Sequence, residues 1–184
     1  VCIGEALIDR IRNKSNQEFK DFLGGAPANV ACALRKLKIY SAFIGRLGRD
    51  QFGKQFISEF NKLDVDINFL QLDENRPTRI VKVSRDQSGD RYFSGFDSSS
   101  QTVFADETLN SNLGEKDLNS LEKLFLETRY IVTGSNILSS SISSEFIYFL
   151  INIAKKFDVK VIVDLNWREV FWDFSTFSSH TSKN

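Results

Sequence analysis

Residues 130–164 begin Tyr130-Ile131-Val132-Thr133-Gly134, pass through a Ser-rich run, and end Val159-Lys160-Val161-Ile162-Val163-Asp164. Both apolar runs have the length and β-branched content of strands, and between them Phe146, Phe149, Leu150, Ile153 and Phe157 recur at helical spacing. A strand, a helix and a second strand in this order form a βαβ unit, whose strands run parallel and whose crossover is right-handed. The alternation extends toward the N-terminus. Residues 1–3 read as a short strand ending at Gly4. Pro27 suits the first turn of a helix over 26–37, with Val30, Ala33, Leu34 and Leu37 as its buried face. Residues 41–44 read as a buried strand, 45–48 as a turn, and 51–62 as a helix N-capped by Asp50 with Phe52, Phe56, Phe60 and Leu63 on one side. A helix near 116–127 turns Leu118, Leu121, Leu124 and Phe125 inward. Repeated strand–helix units place helices on both faces of a parallel sheet, and such sheets bind ligands at the carboxyl ends of their strands, where Gly134 and Asp164 fall.

Other segments depart from this rhythm. Residues 19–23 read as a returning strand after a polar turn at 13–16, and 78–84 and 91–96 flank a turn at 86–89, so a hairpin layer is expected beside the main sheet. Residues 97–115 read as a long polar loop. Residues 174–184 carry no periodicity and read as a disordered or non-native tail. Val1-Cys2-Ile3-Gly4 reads as a strand whose beginning is missing, so the chain is expected to start inside a longer parent.

Composition narrows the function classes. The chain has 184 residues, with 24 Lys and Arg against 24 Asp and Glu, and its 17 Phe are expected to dominate the core of one domain. Zero net charge supplies no long-range field for a polyanion, which argues against nucleic acid as a partner. No apolar run approaches membrane-spanning length and no signal-peptide pattern opens the chain, so a cytoplasmic protein without a membrane partner is expected. Two Cys and one His cannot supply a four-ligand zinc site; Cys2 and Cys32 read as buried free thiols. His180 lies in the tail, which disfavours a His-based triad. Asn13-Lys14-Ser15 matches a glycosylation acceptor that carries no meaning without secretion.

Three motifs admit chemistry. Gly48-Arg49-Asp50-Gln51-Phe52-Gly53-Lys54-Gln55 nearly matches a phosphate loop, but Gln55 stands where a hydroxyl would meet Mg2+ and Asp50 adds negative charge. Gly24-Gly25-Ala26-Pro27-Ala28-Asn29 sets close-approach backbone before a helix and an amide on its first turn, an arrangement that holds hydroxyl groups or is a plain loop-to-helix turn. Asp9 is an exposed loop carboxylate or a hydroxyl acceptor. Asp164-Leu165-Asn166-Trp167-Arg168 sets an acid, an amide and a guanidinium beyond a strand, suited to an anionic, metal-associated substrate or to a surface ion pair.

Gly4-Glu5-Ala6-Leu7-Ile8-Asp9, Gly24-Gly25-Ala26-Pro27-Ala28-Asn29-Val30-Ala31, Phe43-Ile44-Gly45-Arg46-Leu47-Gly48-Arg49-Asp50-Gln51-Phe52-Gly53 and Asp164-Leu165-Asn166-Trp167-Arg168, in this order and spacing, resemble the PfkB-type, ribokinase-like carbohydrate kinases, closest to fructokinases. The resemblance covers residues 1–173. It implies an α/β fold with a three-layer α/β/α core and a small β-sheet lid, its strands within about 9–23 and 67–96, the C-terminal part of the domain being missing. It implies ATP-dependent phosphorylation of a sugar hydroxyl with Mg2+, and a possible homodimer through the lid. By the resemblance Asp9, Gly24, Gly25 and Asn29 grip sugar hydroxyls, Arg91 closes the lid side, and Asp164, Asn166 and Arg168 line the phosphate-transfer cleft, Arg168 meeting substrate or phosphate. Lys38 departs from the family, whose first signature usually has Gly there. A Gly-Ala-Gly-Asp-like turn, whose Asp deprotonates the attacking hydroxyl, belongs beyond residue 184. No catalytic residue is therefore assigned here, and the chain is expected to be an incomplete kinase, weakly active or inactive, or alternatively a non-catalytic sugar-binding remnant. Fructose is the leading substrate; ribose, 2-keto-3-deoxygluconate or a nucleoside suits the same scaffold.

Overall fold

The computed structural model describes residues 1–12, 18–85, 91–97, 102–112 and 118–172, with backbone alone at Arg85 and 91–93. The turns at 13–16 and 86–89, the Asn13-Lys14-Ser15 tripeptide and the 174–184 tail with His180 lie outside the described residues. The chain runs β1 (Cys2–Ile3), β2 (Leu7–Arg12), β3 (Phe19–Gly24), α1 (Ala26–Lys36), β4 (Phe43–Ile44), β5 (Arg46–Gly48) and α2 (Gln51–Lys62). It continues through β6 (Gln71–Asp73), β7 (Ile80–Arg85), β8 (Arg91–Phe96), α3 (Leu118–Leu126), β9 (Tyr130–Gly134), α4 (Ser141–Lys155) and β10 (Lys160–Asp164).

The main sheet has the order β10-β9-β1-β4 and is parallel throughout. Side-chain alternation splits its interior between two cores. Ile3, Ile44 and Ile131 pack on one face with α3 and α4, through Leu121, Phe125, Phe146, Ile147 and Leu150. Cys2, Phe43 and Val132 pack on the other with α1 and α2, through Ala28, Ala31, Phe56 and Phe60. Helix, sheet and helix therefore make three layers. Phe43 and Phe60 meet with ring centroids 4.9 Å apart, and burying each such ring contributes roughly 2–3 kcal/mol.

A second sheet, β3-β2-β7-β8, stands beside the first. It joins the antiparallel pairs β2–β3 and β7–β8 through a parallel β2–β7 contact, with an irregularity between Lys82 and Val83.

Several expectations need correction. The 45–48 turn is partly strand: β5 pairs in parallel with β6, and Arg46 reaches across to Asp73 and Gln71. The face of α1 that is buried carries Pro27, Ala28 and Ala31, whereas Ala33 is exposed and Leu37 is 70% exposed; small residues let this helix lie close to the sheet. Leu118 and Phe149 are also largely outside the core. Within the 97–115 stretch, Ala105–Thr108 forms a 3-10 turn with Phe104, Ala105 and Leu109 buried. Cys2 is buried, but Cys32 is only half-buried; both are free.

Candidate functional site

The cleft is built where chain leaves the carboxyl ends of β1, β9 and β10. From β1 the chain turns at Gly4, buries Glu5, and enters β2, whose third residue is Asp9. Asp9 is thus a half-buried strand residue, not a loop carboxylate. A Cβ on Gly24 would come within 2.6 Å of Asp9 Oδ2, so the carboxylate lies directly over the glycine. Gly25 has φ 95° and a Cβ there would sit 2.5 Å from the Glu5 carbonyl oxygen, a position only glycine fills without strain. Gly25 caps α1, and its carbonyl accepts the Asn29 N–H at 2.9 Å. Asp9, Gly24 and Gly25 therefore come together at the start of α1, with Asn29 exposed on the first turn. Arg91 lies in β8 opposite Arg85, its side chain outside what is described.

At the other end, Asp164 closes β10 opposite Gly134. Its Oδ1 accepts the Asn166 N–H at 3.0 Å, turning the chain so that Arg168 heads the short Glu169–Phe171 3-10 helix. Ser135 Oγ donates to the Leu165 carbonyl and ties this exit to the end of β9. β10 and β1 are two strand spacings apart in the main sheet, about 10 Å.

The phosphate-loop reading of 48–55 does not hold. Asp50 Oδ1 accepts the Gly53 N–H at 2.8 Å, and the same carboxylate takes the Thr78 N–H at 2.7 Å and hydroxyl at 2.9 Å. The N-terminus of α2 is filled by its own carboxylate, which would repel phosphate. Of the candidate segments, the Asp164–Asn166–Arg168 exit fits a phosphate-bearing group best in donor chemistry, since it alone combines an amide and a guanidinium at a strand's carboxyl end.

Sequence reasoning missed a buried polar cluster beneath the cleft. Arg79, 3% exposed, donates to Asp106 Oδ2 at 2.8 Å and Glu107 Oε1 at 2.7 Å. Its guanidinium lies 4.6–4.8 Å from the ring centroids of Phe96, Phe104 and Phe171. Burial disfavours its charge, but Asp106 and Glu107 outweigh that and raise its pKa. Glu5 lies beside this cluster under Gly134, and Asn136 Nδ2 donates to its Oε1 at 3.4 Å. Burial, reinforced by the Asp106 charge, pushes the Glu5 carboxyl up to about 7. A signal was present: Arg79 shares strand parity with Val81 and Val83, which face inward.

Known proteins place this geometry. Residues 1–182 match the pfkB family carbohydrate kinase profile. A probable fructokinase-5 of Arabidopsis thaliana is 37% identical over 131 residues, covering 68% of this chain and 39% of the relative. A 5-dehydro-2-deoxygluconokinase of Clostridium botulinum is 31% identical over 166 residues, covering 90% of this chain and 46% of the relative. The crystal structure of fructokinase from Xylella fastidiosa, also solved with bound ATP, superposes with a TM-score of 0.78 at 26% identity, covering all of this chain and 55% of that one. The chain spans about half the length of these relatives. With the three-layer core, the second sheet and the glycine-lined Asp9 cluster in their expected order, the chain belongs to the pfkB family of carbohydrate kinases.

Proposed function

We propose that this chain is the sugar-binding half of an ATP-dependent carbohydrate kinase of fructokinase-like preference. The observation that carries the reading is the Asp9 carboxylate set over Gly24 beside Gly25 at the start of α1. A carboxylate on close-approach backbone accepts hydrogen bonds from neighbouring sugar hydroxyls, and the absent Gly24 side chain is what lets the Asp9 carboxylate lie there. Asn29 supplies a further donor and acceptor on the first turn. Arg91 is the residue that the family resemblance assigns to closing the lid side. Asp164, Asn166 and Arg168, beyond β10, form the phosphate end of the site, where ATP and Mg2+ would supply the transferable group and its charge neutralisation. The capacity proposed for these residues is sugar binding. Exposed Phe19 and Phe22 on β3 favour a second copy against the lid. The two unpaired thiols favour a cytoplasmic setting. Among the described residues, no helix is long and apolar enough to cross a membrane.

The reading is tested by isothermal titration of the folded chain with fructose and with 2-keto-3-deoxygluconate, followed by ATP-Mg2+. One of the sugars is expected to bind, and Asp9→Ala, checked for folding by circular dichroism, is expected to weaken it at least about tenfold through the loss of charge-assisted hydrogen bonds. A folded chain that binds neither sugar, or an Asp9→Ala chain that binds as well as the native one, overturns the reading.

A further inference from the structure

Glu5 forms part of the wall of a cavity of about 10 Å³, whose lining also includes Arg79, Asp106, Asn136, Ser139 and Phe171. That volume admits one water-sized body. Glu5, Asp106 and Asn136 are 3%, 8% and 5% exposed. Each carries one buried oxygen without a hydrogen-bond partner in the protein: Glu5 Oε2, Asp106 Oδ1 and Asn136 Oδ1. With Glu5 ionised all three are acceptors, and Arg79 directs its donors at Asp106 Oδ2 and Glu107 Oε1.

The chemistry of the occupant follows from this donor set. A water has two hydrogens to offer, so where Glu5 is ionised one of the three oxygens would stay without a partner. It would also leave the carboxylates of Glu5, Asp106 and Glu107 balanced by the Arg79 guanidinium alone within this lining. A cation serves all three oxygens at once and supplies positive charge in a region remote from solvent. Mg2+ demands octahedral geometry and keeps several waters, for which the cavity has no room. Among the described residues no three His, Cys, Asp or Glu side chains gather as such an ion would need. We propose that Glu5, Asp106 and Asn136 bind a single dehydrated alkali cation, Na+ or K+. The ion joins the turn after β1, the 3-10 turn at Ala105–Thr108 and the segment after β9, so it braces the floor of the cleft. This site does not depend on the sugar reading.

The test is the thermal unfolding midpoint of the whole chain in NaCl, KCl and choline chloride at equal ionic strength and about pH 8.5, where Glu5 is ionised, for the native protein and Glu5→Gln. The midpoint is expected to be at least about 3 °C higher in NaCl or KCl than in choline chloride, with the difference lost in Glu5→Gln. Equal midpoints in all three salts mean that water fills the cavity and overturn the proposal, as does an undiminished cation preference in Glu5→Gln. Should that variant not fold, sodium NMR relaxation decides on the native chain. Relaxation enhanced by the protein and reversed by Asn136→Leu supports the site; relaxation at the bulk value overturns it.

Discussion

Asp73 shows how much one side chain organises. It is 2% exposed, its Oδ1 accepts the N–H groups of Asn75 and Arg76 at 2.9 Å, and its Oδ2 meets Arg46 at 2.7 Å and the Thr108 hydroxyl at 3.3 Å. Burial alone would raise its pKa, but the two backbone N–H groups and Arg46 hold the carboxyl well below the usual range. A carboxyl whose folded pKa is depressed stabilises the fold above its unfolded pKa, and that contribution is lost as pH falls toward the folded value. Urea unfolding should therefore show stability declining below about pH 4. Asp73→Asn should cost about 3 kcal/mol at pH 7 by removing the buried negative charge that faces Arg46 and Arg76, and should flatten the acid limb. A variant as stable as the native protein at pH 7 would contradict this. Arg79 carries a similar lesson in legibility: its inward parity could be read from Val81 and Val83, but its partners Asp106 and Glu107 lie 27 and 28 residues away, and no local pattern names them.

Among the elements, helix ends were more legible than helix faces. Asp50 caps α2 and Ser140 caps α4, each accepting an N–H three residues on, because capping chemistry is local. The face of α1 depended instead on how closely the sheet approaches, and small Ala28 and Ala31 displaced the larger apolar residues from contact. At its C-terminus Lys38 stands at φ 62° where the family usually has Gly. The Ile39 N–H reaches the Leu34 carbonyl and the Lys38 N–H the Arg35 carbonyl, both at 2.9 Å, closing a Schellman turn. The turn is kept and the lysine bears the left-handed conformation. Lys38→Gly should stabilise the chain by about 0.5–1 kcal/mol, the relief of that strain less the backbone entropy of glycine. Denaturant midpoints with unchanged slope would show it, and a lower midpoint would contradict it.

Across the whole molecule, β10 is the exposed margin of the main sheet. Val161, Ile162 and Val163 are 36%, 48% and 48% exposed, and Leu165 and Trp167 beyond them 75% and 51%. An apolar strand with a free row of backbone donors and acceptors templates pairing with another chain. The isolated chain should self-associate in light scattering, and Ile162→Lys should shift it toward monomer; a cooperative native monomer would contradict the prediction. The sequence by itself determined the βαβ rhythm, the caps and the order of Asp9, Gly24-Gly25 and Asp164, since periodicity, capping and close-approach glycines are properties of neighbouring residues. Tertiary structure alone decided that Asp9 lies over Gly24 and that Glu5, Arg79, Asp106 and Asn136 share one buried site. Those pairings join residues from 15 to 131 positions apart, and the free energy that brings them together comes from the packing of both cores rather than from any local run of the chain.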